Sequence, residues 1–413
     1  MADGRLTASS ATTGWRARWD ALPPVVRITS IYVAARLVTT ALMLLSAQLS
    51  PASSRFGPDP GLVDYILGWD AQWYWTVAVD GYPADLPLSE GGDVEQNAWA
   101  FMPVYAYLSQ LVGNVLGAGT WWIGALLVSL VAGWAACVVL HRLLRERLDE
   151  DRAQWGVVIF ASGPLAALFQ VGYAESLFLL FLLTALLCVM RRRWRALYLL
   201  VPLMGFTRPG VLAFALFLGL YGIWRLTRRR TVPLPRIEIV HIVAVAALAT
   251  AVGFAWQAIT GAVTGDPEAY LETELAWRRS WTGDGGGFVP FEGWIQAAGV
   301  WAGVWGIPAW LCYALLGVGV AGTFAALLFA SSVRRLGGEV RLWSASYLVY
   351  LLAVFFPQSS TFRLLVPLAP LAGALAVTRR PGYRACVLLA CLVAQWAWIF
   401  GMYGHGNTFW LIP

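Results

Sequence analysis

Twelve long apolar stretches run along the chain, at about residues 25–49, 99–117, 120–141, 155–172, 175–190, 196–207, 209–224, 237–261, 300–332, 341–357, 361–378 and 385–402. They are continuous apolar runs, not the alternating segments of ~10 residues that a membrane β-barrel shows, so the pattern predicts α-helices in a bilayer. Short connections rich in arginine separate many of them: Arg142, Arg145, Arg147 and Arg152; Arg191, Arg192, Arg193 and Arg195; Arg225 to Arg236; Arg334, Arg335 and Arg341; Arg379, Arg380 and Arg384. The positive-inside rule places each of these in the cytoplasm, together with an N-terminal tail holding Arg5, Arg16, Arg18 and Arg27. That sidedness fixes parity. Only one of the pair 99–117 and 120–141 can span, and 99–117, with its aromatics, Pro103 and several glycines, is expected to dip into the outer interface. The expectation is an all-α polytopic membrane protein with 11 spanning helices, N-terminus inside and C-terminus outside.

Composition agrees. Of 413 residues, 59% are hydrophobic and only 13% charged, about half the charged share of a soluble domain, and the mean hydropathy is +0.64. The net charge of +6 is a topology signal. Residues 51–98 hold eight carboxylates against one Arg, and residues 262–292 hold six against two, whereas 23 of the 29 Arg lie in the tail and the cytoplasmic connections. No nucleic-acid patch survives that division. The five cysteines sit inside apolar runs and read as core residues. No His, Cys or Asp cluster has metal-ligand spacing, so no cofactor is expected, beyond a divalent cation bound weakly by the acidic loops. There is no phosphate-binding Gly-rich loop for a nucleotide. The expected layout is a cytoplasmic tail (1–24), one membrane domain (25–402) with outer loops at 51–98 and 262–299, and an outer tail (403–413).

On this topology the unusual polar residues collect on the outer side. Asp70 and Asp80 lie in the first loop, Glu175 in the turn YAES (173–176), Arg208 in the turn TRPG (207–210), and Arg363 after the turn PQSSTFR (357–363). Residues 196–207 and 209–224 are too short to cross twice, since a crossing of ~30 Å takes about 20 residues. The TRPG turn must therefore be recessed, in protein or against a wet cavity. An outward-open cavity lined by Arg208, Glu175 and Arg363 follows, with the first loop folded over it. Blander readings exist for each residue. Glu175 could simply pair with an Arg, Asp70 could cap the amphipathic helix behind it, and Asp80-Gly81 could be only a turn. Trp121, Trp122, Trp294, Trp301 and Trp305 read as lipid-interface anchors. His405 reads as exposed structure.

Guanidinium groups at depth suit a lipid-linked phosphate, a carboxylate above them suits a general base, and loop aromatics suit a sugar face. The order WDAQWYWTVAVDGYP (69–83), AFMPVYAYL (100–108), YAESLFLL (173–180), TRPGVL (207–212) and FRLLVPLAP (362–370) resembles the bacterial PIG-V-like mannosyltransferases, which are similar to the eukaryotic GPI mannosyltransferase II and belong to the GT-C superfamily. The resemblance implies a GT-C-type fold and inverting transfer of mannose from polyprenyl-phosphate-mannose to a glycolipid or glycan acceptor at the outer face of a bacterial plasma membrane. It implies an acidic residue in the first loop that supports catalysis, which falls on Asp70. The expected roles are then Asp70 as base, with Asp80 as substitute, and Arg208 and Arg363 on the donor phosphate. Glu175, Trp69, Trp73, Tyr74 and Tyr173 are expected around the sugar and acceptor. The competing readings are a GT-C transferase for another lipid-linked sugar, such as arabinose or glucose, and a transporter or flippase for a polyprenyl-linked substrate.

Overall fold

The computed structural model describes residues 14, 17–117, 119–283, 286–406, 412 and 413. Arg5, Arg16, most of the N-terminal tail and Asp284 lie outside the described residues. Among the described residues the chain is helical, with a single isolated bridge between Leu88 and Val94. In chain order the α-helices are α1 (Pro24–Gln48), α2 (Leu62–Ile66), α3 (Asp70–Val79), α4 (Pro103–Leu116), α5 (Trp121–Arg145), α6 (Glu150–Ala161), α7 (Glu175–Met190), α8 (Trp194–Gly205) and α9 (Val211–Thr227). They continue as α10 (Arg236–Thr264), α11 (Ala269–Thr282), α12 (Glu292–Trp305), α13 (Ala309–Phe329), α14 (Ser331–Arg334), α15 (Gly338–Val354), α16 (Thr361–Leu364), α17 (Ala372–Leu375) and α18 (Pro381–Ile399).

Five of these, α1, α5, α10, α13 and α18, are long and apolar enough to cross a bilayer. The protein is a multi-pass membrane protein, and helix length alone accounts for five of the 11 crossings expected. Helix α7 sits at the centre, apolar around its whole circumference and buried from Glu175 to Val189 on most positions, as an all-round hydrophobic helix must be.

Three expected spans are broken, each for a local reason. The stretch 300–332 divides into α12 and α13, because Gly306 takes a left-handed conformation (φ 64°) and Pro308 follows it. The stretch 361–378 is a run of short pieces, with a 3-10 turn at Val366–Leu371 set by Pro367 and Pro370. The stretch 155–172 stops being α-helical at Ala161, just ahead of Gly163 and Pro164, and resumes only as a 3-10 turn at Ala166–Phe169.

The last break leaves carbonyls exposed to an apolar interior, and Arg36 of α1 satisfies them. Its guanidinium donates to the carbonyls of Ala161 (2.5 Å) and Ala166 and to Oε1 of Gln170 (3.1 Å), and stands 5.1 Å from the ring centres of Tyr32 and Phe169. The tryptophans work in the same way. Trp121 is 3% exposed and donates to the Ala106 carbonyl, Trp294 donates to Leu351 and Trp301 to Pro357. Trp121 is therefore an internal donor between two helices, which corrects its reading as a lipid anchor, while Trp294 and Trp301 are half-buried. Trp305, at 60% exposure, is on the surface.

The TRPG turn is recessed. Helices α8 and α9 have 12 and 17 residues, about 18 and 26 Å at 1.5 Å per residue. A Cβ on Gly205 would strike Val252, and one on Gly253 would strike Leu212, so the turn lies level with the middle of α10. Thr264, where α10 ends, is twelve residues beyond Val252, about 18 Å further on. The start of α4 reaches the same depth: the Val104 N–H donates to the Phe206 carbonyl (3.0 Å), and Trp256 of α10 donates to Trp99 (2.9 Å). From there α4 returns alongside α5, so close that no side chain fits at Gly124, whose Cβ would enter the Ser109 carbonyl.

Candidate active site

Four charged side chains from four separate segments meet in one line. Asp70 opens α3, Glu175 opens α7, Arg208 lies in the recessed turn and Arg363 in α16. Arg363 Nη1 pairs with Asp70 Oδ2, and its Nε stands 3.4 Å from Glu175 Oε1. The same Glu175 oxygen takes Arg208 Nη1 at 2.6 Å. Glu175 is 3% exposed, so this is a buried carboxylate between two guanidinium groups. At the first turn of α7 it also faces the positive end of the helix dipole. Buried charges persist only when paired, and here the charges balance, two carboxylates against two cations, although Glu175 Oε1 and Arg363 Nε are in ion-pair contact without a well-aligned hydrogen bond.

The first loop is docked onto this cluster by backbone contacts. The Gly172 N–H donates to the Ile66 carbonyl (2.9 Å), and a Cβ on Gly172 would press into Ala71. The Asp70 N–H reaches the Tyr173 hydroxyl (3.4 Å), and the Arg363 guanidinium lies 5.2 Å from the centre of the Tyr173 ring. Trp69, the residue before Asp70, sits at φ 55°, ψ −123°, a region that bulky residues rarely occupy and that costs of order 1–3 kcal/mol. Its indole N–H donates to the Met402 carbonyl (3.1 Å), and its ring meets Phe56 edge-on.

Above the cluster is a cavity of about 480 Å³, walled by Trp69, Asp70, Trp73, Trp277 and Arg363 together with amide side chains such as Gln72. That volume suits a sugar-sized ligand. The expected residues therefore divide. Asp70, Glu175, Arg208 and Arg363 come together, but of these only Asp70 and Arg363 line the cavity, which corrects the expected lining by Glu175 and Arg208; Trp69 and Trp73 face it. Tyr74 (5% exposed) and Tyr173 (0%) do not face it. They are packed beneath the ion pairs, Tyr74 against Phe101 and Tyr105, so direct contact with a sugar is corrected to a supporting position. Asp80 is not brought in at all. It caps the far end of α3, exposed, about 15 Å along the helix from Asp70.

One wall is supplied by a helix not expected to contribute. On α11, Tyr270, Glu274, Trp277 and Trp281 recur at helical spacing and share one face. Trp277 packs edge-on against Trp73 (5.8 Å), and Trp281 lines the cavity. The helix is tied down by Asn97, whose amide donates to Thr273 (2.9 Å), and by Arg279, which donates to the Val94 carbonyl. Glu274 hydrogen-bonds Tyr270, and Tyr350 is the neighbour it shares with Arg208. Solvent reaches Glu274, but protein surrounds the recess. That desolvation pushes its carboxyl up to about 7, opposed in part by the Tyr270 hydroxyl. The pattern Y–E–W–W, at spacings of four, three and four, was the available signal for this wall. Among the described residues no three Asp, Glu, His or Cys side chains converge as metal ligands.

No family model matches the chain, and no curated protein does. Solved structures resemble it in shape. The oligosaccharyltransferase of Archaeoglobus fulgidus, solved with zinc and sulfate, aligns at 14% identity and a TM-score of 0.47, over 90% of this chain and 54% of its own. ArnT from Cupriavidus metallidurans, solved bound to undecaprenyl phosphate, aligns at 15% identity and a TM-score of 0.45, over 87% of this chain and 62% of its own. The chain thus spans less than two thirds of either neighbour.

Proposed function

We propose that the protein is an inverting glycosyltransferase of the plasma membrane, working at its extracytoplasmic face. It would carry mannose from polyprenyl-phosphate-mannose to a glycolipid or glycan acceptor. The observation that carries this reading is the chain of pairs Asp70–Arg363–Glu175–Arg208, whose first two members line an aromatic cavity. The arginine-rich connections support a cytoplasmic position for the opposite end of the molecule, by the positive-inside rule.

In this mechanism the ion pair engages Asp70 Oδ2 and leaves Oδ1 for the acceptor hydroxyl. As the hydroxyl oxygen attacks the anomeric carbon, its proton passes to Asp70. The bond from that carbon to the phosphate oxygen breaks, and its electron pair leaves with the lipid phosphate. One displacement on one carboxylate inverts the anomeric centre. The guanidinium of Arg363 touches both Asp70 and Glu175, so its remaining N–H groups can follow charge from the base side to the leaving group. Glu175 fixes the direction of both guanidinium forks, and Trp69 and Trp73 offer flat apolar faces to the sugar.

The test is turnover. The purified protein in lipid nanodiscs is incubated with polyprenyl phosphates carrying mannose, glucose or arabinose, and release of polyprenyl phosphate is measured. Selective consumption of the mannose donor supports the reading. Consumption of another sugar alone moves the specificity, and consumption of none overturns the transferase reading.

A further inference from the structure

The charges around the cavity do not all cancel. Asp70 and Glu175 are consumed by Arg363 and Arg208, which leaves that cluster neutral. A phosphate diester entering the cavity would bring a negative charge with no free cation to meet it. Arg55 also lines the cavity. Among the described residues no carboxylate lies within ion-pair distance of it. Its side chain has a neutral partner, with Nη2 donating to Oε1 of Gln72 at 2.9 Å.

Arg55 is also held in place, unlike an ordinary surface arginine. Its backbone N–H donates to the Gly406 carbonyl (2.6 Å), and its guanidinium lies 4.5 Å from the centre of the Trp69 ring. Trp69 is itself fixed by its bond to Met402 and holds a strained backbone conformation, φ 55°, at the start of α3. Stacking on an indole occupies the face of a guanidinium and leaves its edge N–H groups available. A planar, permanently charged, pre-aimed fork is what recognition of a phosphate uses.

We propose that Arg55 is the docking point for the phosphate of a lipid-linked substrate, supplying the positive charge that the deeper cluster has already neutralised. This rests on the transferase reading. The chemistry is a lipid phosphate diester, which either the sugar donor or a phosphate-bearing acceptor lipid could bring.

The test compares wild type with R55Q, which removes the charge, and R55K, which keeps the charge but loses the fork and the stack. Binding of undecaprenyl phosphate is followed by quenching of tryptophan fluorescence. KM is measured for polyprenyl-phosphate-mannose and for phosphatidylinositol as acceptor. R55Q should weaken undecaprenyl phosphate binding and raise the donor KM by about tenfold or more, with R55K intermediate. If only the KM for phosphatidylinositol rises, the phosphate held is the acceptor's and the proposal stands. If R55Q, with an unchanged melting temperature, binds undecaprenyl phosphate and uses both lipids as wild type does, the proposal falls and the transferase reading is untouched. A wild type that neither binds undecaprenyl phosphate nor turns over any donor removes the transferase reading instead.

Discussion

Asp70 and Arg363 stand 293 positions apart in the chain and form a direct ion pair. The first acidic loop and the broken segment before the last long helix are therefore one structural unit. The pair brings a partly accessible carboxylate (22% exposed) and a buried guanidinium to the same cavity wall.

If Asp70 takes the acceptor proton, Asp70→Asn keeps the shape of the side chain and removes its basicity. Transfer from polyprenyl-phosphate-mannose should fall by at least about 10²-fold, while the variant still purifies as a monodisperse membrane protein. Asp80→Asn, at the far end of α3, should keep wild-type turnover. A normal rate for Asp70→Asn in a radiolabelled-donor assay would take the base role away from it.

Glu175 has a different kind of importance, because it is buried between two cations. Glu175→Gln leaves Arg363 with Asp70 alone and takes from Arg208 the one carboxylate it pairs with among the described residues. Breaking a buried pair from one side costs about 3–5 kcal/mol, so a clear drop in thermal stability should accompany loss of activity. Arg208→Lys should lose the fork geometry with a smaller drop. Equal melting temperatures for Glu175→Gln and wild type would show that the carboxylate is not paired as described.

The recess around Glu274 predicts a pH signature. Its folded-state carboxyl titrates near 7 against an ordinary value of 4.5, so between those values the folded protein holds more protons than the unfolded one. Stability from this group therefore falls as pH rises through the window from about 4.5 to about 7 and levels off above it. Glu274→Gln should match wild type in melting temperature near pH 4 and exceed it near pH 8. A difference independent of pH would place Glu274 in open solvent.

Close packing makes a purely structural prediction at α4 and α5. Gly124→Ala places a methyl group into the Ser109 carbonyl, and rigid backbone on both sides cannot give way cheaply. A loss of about 1–3 kcal/mol is expected, seen as a lower melting temperature. The same change at Gly319, which faces open space in α13, should be silent.

Much of the site could be read from residue order. The recessed TRPG turn followed from two helices too short to cross, and Asp70, Glu175, Arg208 and Arg363 stood out as charges at turns between apolar runs. Where reading failed, the cause was tertiary. Arg36 vanished inside an apolar run because nothing local shows that a helix elsewhere ends at Ala161 and needs its carbonyls filled. Tyr74 and Tyr173 looked like ligand contacts because burial depends on packing against Phe101, Tyr105 and Arg363, far away in the chain. Trp277 and Trp281 sat in a loop judged by its net charge, and only the helical repeat of α11 turns them toward the cavity. Continuous apolar stretches also hid their breaks: Pro308, Pro367 and Pro370 divide what hydropathy alone joins.

The sharing of Glu175 between two arginines also bears on the order in which the molecule is built. Ribosomal synthesis delivers Glu175 and then Arg208 from neighbouring hairpins, long before Arg363 exists. The early pair can neutralise itself while α7, α8 and α9 enter the bilayer, and Asp70 waits in water. Arg363 arrives later and acts as the clasp: it adds the ion pair to Asp70 over a loop that the Gly172 backbone and the Tyr173 hydroxyl already contact. A chain truncated ahead of it should insert its earlier helices and leave that loop without its ion pair to the cluster.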